Sequence, residues 1–252
     1  EECTNWREGL EFEKKINVLS FSGKFSQKCE IKEIDLSIID WPYYFYLIFK
    51  QTWINNGGEF AGNYKMLSDS SVDKQLLATH SSEPLNNIIR KTNKYSLNFM
   101  SRNLMLTVIA EKYAAQPTEE MVNIYINKWL VDNQVENNGL FIDNGAGLSR
   151  KTKISVNQYL KILEKIYYDP MMSEMISSFP IAGIDGTLKN RMNTSPLEMN
   201  GHFKTGSLSG VNAIAGFFLN KDKEMNAFVF MMNGKKANES QQFQEALIKA
   251  VF

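Results

Sequence analysis

The sequence holds only two cysteines and two histidines in 252 residues, and that scarcity excludes several kinds of chemistry. Cys3, Cys29, His80 and His202 fall at no close spacing, so a structural zinc site has too few ligands, and neither a metal nor any other cofactor is expected. A Ser-His-Asp hydrolase has no Gly-x-Ser-x-Gly elbow to build on, and each histidine reads as an ordinary polar residue of a loop or strand. No apolar run approaches the roughly 18 residues that cross a bilayer. The most apolar short run, Trp41 to Phe49, is interrupted by Pro42 and rich in tyrosine. Neither sign of charge dominates, with Lys plus Arg and Asp plus Glu at 28 each. Without a net positive field there is little counterion-release free energy to collect, and no nucleic-acid partner is expected. The chain opens Glu1-Glu2-Cys3, with neither Met nor a signal peptide, and reads as starting at a processed or truncated N-terminus.

What is present is a globular composition. With 43% hydrophobic and 12% aromatic residues, the chain can bury a sizeable core and form one large domain or one and a half. Cys3 and Cys29 flank a strand-like stretch, a spacing that suits a disulfide in an oxidising compartment or two buried thiols. The runs from Ile16 to Phe21 and from Glu30 to Leu36, joined through Ser22-Gly23-Lys24, predict a small antiparallel element. Pro42 suits the first turn of a helix that continues through Phe49 and Trp53 and stops at Gly57-Gly58. Its aromatic residues predict core rather than a ligand platform, so the helix is expected to be largely buried.

From Asn86 to Asn133 the pattern is helical, with breaks at Asn93-Lys94-Tyr95-Ser96 and at Gln116-Pro117-Thr118, where Thr118 can cap a helix running to about Val131. A loop rich in Gly and Asn follows, from Asn137 to Gly147. Ser155-Val156-Asn157-Gln158 is a capping box ahead of Tyr159, Ile162, Leu163 and Ile166 at helical spacing. The last fifty or so residues read as three strands, His202 to Ser209, Val211 to Leu219 and Met225 to Met232, the last two joined as a hairpin by Asn220 to Glu224. Asn238 to Gln241 then cap a closing helix, with Phe243, Leu247 and Val251 expected on its buried face.

Two short motifs carry candidate chemistry. Lys204-Thr205-Gly206-Ser207 lies on an expected strand: lysine brings positive charge, threonine a hydroxyl donor, and glycine lets another backbone come close, so a peptide carboxylate could dock there as an added strand. The same letters also suit a plain turn. Ser96-Leu97-Asn98 places a hydroxyl and a carboxamide two residues apart, and Ser101-Arg102-Asn103 repeats the pattern one turn later; either also reads as a polar helix start.

In this order the motifs resemble the penicillin-binding proteins and serine β-lactamases. Three longer stretches narrow the resemblance to the class C low-molecular-mass penicillin-binding proteins, a D-Ala-D-Ala carboxypeptidase/endopeptidase family. They are Ser82-Glu83-Pro84-Leu85 leading to Asn93-Lys94-Tyr95-Ser96-Leu97-Asn98, then Asp143-Asn144-Gly145-Ala146-Gly147-Leu148-Ser149-Arg150, then Lys204-Thr205-Gly206-Ser207-Leu208-Ser209-Gly210. The surroundings of Cys3 and Trp6 and the helix ending in Gly57-Gly58 are similar more loosely, so the likeness covers nearly the whole chain. It favours Ser96 over Ser101.

The resemblance implies an α/β (α+β) transpeptidase/β-lactamase-like fold, an antiparallel sheet flanked by helices beside an all-helical subdomain. The mostly helical part is expected at about 42–200 and the sheet-containing part at about 1–41 and 201–252. It implies that Ser96 relays a proton, that Asn98 bonds the substrate amide, and that Lys204 supplies electrostatic stabilisation and supports Ser96. Thr205 is expected to bind the substrate carboxylate, Gly206 to admit its backbone, and the N–H of Ser207 to form half of an oxyanion hole. Expected partners are peptidoglycan stem peptides and β-lactam antibiotics, and the expected location is the periplasm.

The family's nucleophile is the Ser of a Ser-x-x-Lys motif. The one match, Ser71-Val72-Asp73-Lys74, is polar and close to Ser96, whereas the family's lies far upstream. The chain is therefore read as a C-terminal part lacking the nucleophile helix and the other N-terminal elements, inactive alone, with some apolar surface exposed unless that missing part covers it. Leu97 stands where Asp is common and Ala146 where Ser is usual. A non-catalytic relative that binds stem peptides or a partner, and a serine β-lactamase, remain as alternatives.

Overall fold

Alternating apolar and polar residues in Leu10-Glu11-Phe12-Glu13 make a strand as readily as Val18 to Phe21 do, and the two pair. The computed structural model describes every residue except 1, 2, 4, 5, 16, 17, 33, 35, 37, 67–74 and 115. It divides into two compact units, Glu1–Thr79 and His80–Phe252. In the first, β1 (Leu10–Lys15) and β2 (Val18–Gly23) are antiparallel, in register from Leu10 opposite Gly23 to Lys15 opposite Val18. Phe12 and Phe21 meet directly across the pair, edge to face at 5.8 Å. The strand expected at Glu30 to Leu36 is not formed at its described residues. β2 turns to its N-terminal neighbour instead, two residues away in sequence, where closing the connection costs least entropy. Cys3 and Cys29 are joined as a disulfide, the first of the two arrangements their spacing allows.

The first unit continues into α1 (Trp41–Asn55), where Pro42 occupies the first turn and loses no intrahelical bond by lacking an N–H. Gly57, at φ +84°, lets its own N–H reach Ile54 O (2.9 Å) and that of Gly58 reach Trp53 O (3.0 Å), closing the C-terminus. The segment after the glycines folds back on one face: Trp53 Nε1 donates to Glu59 O at 3.1 Å, and Phe60 and Tyr64 pack their rings on Tyr43, Tyr46 and Phe49. The expectation of a buried helix fails here. No α1 side chain is buried, and Phe45 is 71% and Trp41 66% exposed. The helix is apolar nearly all round, and a single returning loop can cover only one side of it.

In the second unit, α2 (Leu85–Tyr95), α3 (Asn98–Tyr113) and α4 (Glu119–Asp132) follow in sequence, and Thr118 caps α4 by accepting the Met121 N–H at 3.2 Å. The capping box ahead of α5 (Val156–Tyr167) is complete: Ser155 Oγ accepts the Gln158 N–H and Gln158 Oε1 accepts the Ser155 N–H. A short α6 (Met172–Ser178) packs on α2. The sheet runs β3 (Gly201–Leu208), β4 (Val211–Leu219), β5 (Met225–Asn233), antiparallel throughout and in that spatial order. The β4–β5 turn is fastened by Asn220 Oδ1, which accepts the N–H groups of Asp222 and Glu224.

The central strand is buried on both faces because its side chains alternate. Ile214 and Phe218 join Phe203, Leu188, Leu197 and Ile248 in one core cluster, while Phe217 joins Leu163, Ile176 and Phe179 in another. The closing helix α7 (Gln241–Ala250) rotates away from expectation. It buries Gln244 and Ile248, leaving Phe243 and Val251 exposed. Gln244 can face inward because Arg191 donates to its Oε1 and its Nε2 donates to Asn212 Oδ1. A polar residue on the inner face is what hid that face in the apolar pattern.

Candidate active site

The break between α2 and α3 sets the site. Ser96 ends α2 in the left-handed conformation, φ 55° and ψ 49°, Leu97 is extended, and Asn98 begins α3. A non-glycine residue held there costs free energy on the order of 1 kcal/mol, and the surrounding contacts fix it: the Leu97 N–H returns to Thr92 O at 3.0 Å. The reversal turns the Ser96 hydroxyl toward β3, where it accepts a hydrogen bond from Lys204 Nζ at 2.9 Å, across 108 residues of sequence.

Lys204 sits half-buried on β3 and also donates to the Thr205 carbonyl at 2.6 Å. Burial pulls its ammonium down from 10.5 to about 8. Thr205 Oγ1 donates to Thr187 Oγ1 at 2.8 Å, and Gly206 and Ser207 lie exposed beyond it. Among the described residues, β3 pairs with β4 on one side and on the other makes only the bridge between His202 and Ile181. The Lys204 to Ser207 edge is thus open for an extended peptide to add to.

The third motif forms a wall beside the first. Asn98 Nδ2 donates to Ala146 O at 2.5 Å, and Ser101 Oγ donates to Gly145 O at 2.8 Å. The two serines therefore separate by partner, Ser101 fastening the glycine-rich loop and Ser96 meeting Lys204. Position 146 contributes its carbonyl, which alanine provides as well as serine. Arg150 reaches from the end of this loop to Ser209 O at 2.6 Å, tying it to the end of β3.

Three residues at the site were assigned no role from sequence: Lys94, Asp185 and Thr187. Lys94 Nζ, its side chain 6% exposed, pairs with both carboxylate oxygens of Asp185 at 2.7 and 3.0 Å. Asp185 Oδ1 also accepts the Ile181 N–H at 2.8 Å. Gly186 (φ +55°) rests on the Lys94 carbonyl so closely that a Cβ there would overlap it. The available signals were slight: a lysine two residues before Ser96, and an Asp-Gly-Thr turn. His202 Nδ1 lies 3.2 Å from Ile176 O, and burial, aided by Lys94, lowers its pKa. His80 is exposed. The one Ser-x-x-Lys match, Ser71 to Lys74, lies outside the described residues. Among the described residues, no cluster of three or more His, Cys, Asp or Glu could hold a metal, and no helix is long and apolar enough to cross a membrane.

An antiparallel sheet with helices packed on it, and a Lys-Thr-Gly edge strand hydrogen-bonded to a Ser-x-Asn turn, define a chain of the penicillin-binding class. The chain belongs to the D-Ala-D-Ala carboxypeptidase 3 (S13) family, whose match covers residues 3–251. It is 33% identical over 180 residues to the D-alanyl-D-alanine carboxypeptidase DacB of Haemophilus influenzae, covering 71% of this chain and 37% of that protein. Against the D-alanyl-D-alanine carboxypeptidase of an Actinomadura species it is 28% identical, covering 69% of this chain and 33% of that one. The fold is similar to the crystal structure of penicillin binding protein 4 (dacB) from Haemophilus influenzae in complex with a β-lactam, with TM-score 0.79, 26% identity, and coverage of 96% of this chain and 59% of that one. The chain thus spans little more than a third of the length of these curated relatives.

Proposed function

We propose that this chain carries the substrate-binding side of a serine-type D-Ala-D-Ala carboxypeptidase/endopeptidase that acts on peptidoglycan stem peptides through an acyl-enzyme. The observation that carries the reading is the Lys204 to Ser96 hydrogen bond at 2.9 Å, which brings a charged group and a hydroxyl from distant motifs to one point beside an open strand edge.

In this reading the stem peptide lies antiparallel to β3, its terminal carboxylate on Thr205, its backbone passing close over Gly206, and its penultimate carbonyl facing the Ser207 N–H. A serine of the Ser-x-x-Lys type gives its hydroxyl proton to the lysine of that motif and attacks the carbonyl. The C–N bond breaks, the acyl group stays on the serine, and the terminal D-alanine leaves as an amine. Ser96 passes the proton to that nitrogen, and Lys204 holds the Ser96 hydroxyl in line while offsetting negative charge. Asn98 orients the substrate amide, and water then releases the acyl group. β-Lactams enter the same route, but their leaving nitrogen stays tethered. Cleavage at peptidoglycan places the work in the periplasm, and the Cys3–Cys29 disulfide suits such an oxidising compartment.

Intact mass after incubation with excess penicillin tests this on the chain and on the product of its complete gene, because a serine acyl-enzyme gains one drug mass. Labelling of the complete product alone places the nucleophile elsewhere in the protein. Labelling of this chain makes Ser71 the residue to mutate, and labelling of neither overturns the enzyme reading in favour of a binding protein. Where acylation occurs, Lys204→Ala is expected to slow it about a hundredfold, the scale of losing one oriented charge-stabilising donor. With Lys204 titrating near 8, its ammonium is largely present at neutral pH and is lost as pH rises. The acylation rate is therefore expected to fall above about pH 8, and to lose that limb in Lys204→Arg.

A further inference from the structure

Thr187 has an exposed hydroxyl on a turn whose neighbours are tightly held. It is exposed on a 3-10 turn, Gly186–Leu188, whose next residue Leu188 is fully buried in the sheet's core cluster. Asp185, just before the turn, is fixed by Lys94 and the Ile181 N–H. Gly186 is seated against the Lys94 carbonyl where no side chain fits. The backbone on both sides of Thr187 is thereby locked to the end of α2, two residues from Ser96, and to the core beneath β3.

So held, Thr187 Oγ1 lies 2.8 Å from Thr205 Oγ1 and accepts a hydrogen bond from it. A hydroxyl that accepts one hydrogen bond keeps its own proton to donate. Two adjacent hydroxyls that bond each other in the free protein can both turn outward to the two oxygens of one carboxylate, each bond strengthened by the ligand's charge. Lys94 is matched by Asp185, and Lys204, the residue before Thr205, brings positive charge to the same strand.

Resting on the reading of this groove given above, we propose that Thr187 is the second hydroxyl of the carboxylate-binding subsite. It determines specificity for peptides with a free C-terminal carboxylate, and the Lys94–Asp185 pair keeps it in position.

The test uses the complete gene product as wild type, Thr187→Val and Thr187→Ser, acting on a blocked tripeptide ending in D-Ala-D-Ala and on the same peptide amidated at its C-terminus. For the free acid, Thr187→Val is expected to raise KM about tenfold with kcat within about twofold, the size of one lost hydrogen bond to a charged group. Thr187→Ser is expected to restore KM, and the amidated peptide to be indifferent to both. An unchanged KM in Thr187→Val, or equal losses of kcat in both variants, overturns the assignment. A wild type that neither cleaves the peptide nor is acylated by penicillin defeats the parent reading instead. In that event threonine-methyl NMR of this chain still decides the inference. D-alanyl-D-alanine, but not its amide, should shift Thr187 and Thr205 together, and a shift of Thr205 alone, or of neither, rejects Thr187.

Discussion

The two units of this chain hold themselves together by different means. From His80 onward, three clusters of buried apolar side chains lie against the sheet and among the helices. In the described residues of Glu1–Thr79 the only buried side chain is Cys29, which is covalently tied to Cys3. The first unit is no less apolar in sequence; its aromatic residues simply lie on surfaces. Hydrophobic content sets how much could be buried, while the number of layers meeting at a point sets how much is. A hairpin and a helix with one returning loop offer a side chain cover from one direction, whereas β4 is covered from two. The candidate site lies wholly on the second unit, where a hydroxyl and an ammonium can be held at fixed separation.

The contrast would break most visibly at Phe203. Its ring is fully buried against Phe218 in the larger cluster, so Phe203→Ala is expected to cost about 4 kcal/mol. Urea titration followed by circular dichroism would measure it, and a loss below about 1 kcal/mol would mean that the sheet core is not what holds the second unit. Reduction of the disulfide is the matching perturbation on the other side. Cys3 and Cys29 are 26 residues apart, and opening a loop of that length removes about 3.5 kcal/mol of constraint on the unfolded chain. Hydrogen exchange should quicken in β1 and β2 on reduction and stay unchanged in β3 to β5. Equal quickening in both sheets would show that the units are stabilised in common.

The same contrast explains what could be read from residues alone. Elements with a local signature were legible: the Thr118 cap, the Ser155 box, the three C-terminal strands and the Asn220 turn each depend on neighbours within a few positions. The Lys204 and Ser96 motifs were legible as residue types, resemblance supplied their expected roles, and the distance between them required the fold. Facing and partner choice were harder to read. Inward Gln244 disguised the buried side of α7, and a run with β-like residues at Glu30 to Leu36 lost its partner to Leu10–Lys15, which lies closer along the chain. Lys94, Asp185 and Thr187 escaped because their meaning is mutual. A lysine, an aspartate and a threonine spread over 94 positions become one device only when α2 and the turn before β3 touch.

The smallest expected effect is the sharpest test of the comparison. Phe45 projects from α1 with 71% of its surface exposed and stacks only on Phe49, at 6.4 Å between ring centroids, among the described residues. A phenylalanine deleted from a core costs several kcal/mol, but at this exposure the apolar area removed from water is too small to matter. Phe45→Ala should therefore change the unfolding free energy of this chain by less than about 0.5 kcal/mol. Binding of a hydrophobic dye should fall at the same time, because Trp41, Phe45 and Ile48 present exposed apolar surface of the kind such dyes report. A cost above about 2 kcal/mol with unchanged dye binding would mean that α1 has a buried face after all. The two units would then differ in degree of packing, and the poverty of core in residues 1–79 would no longer separate them.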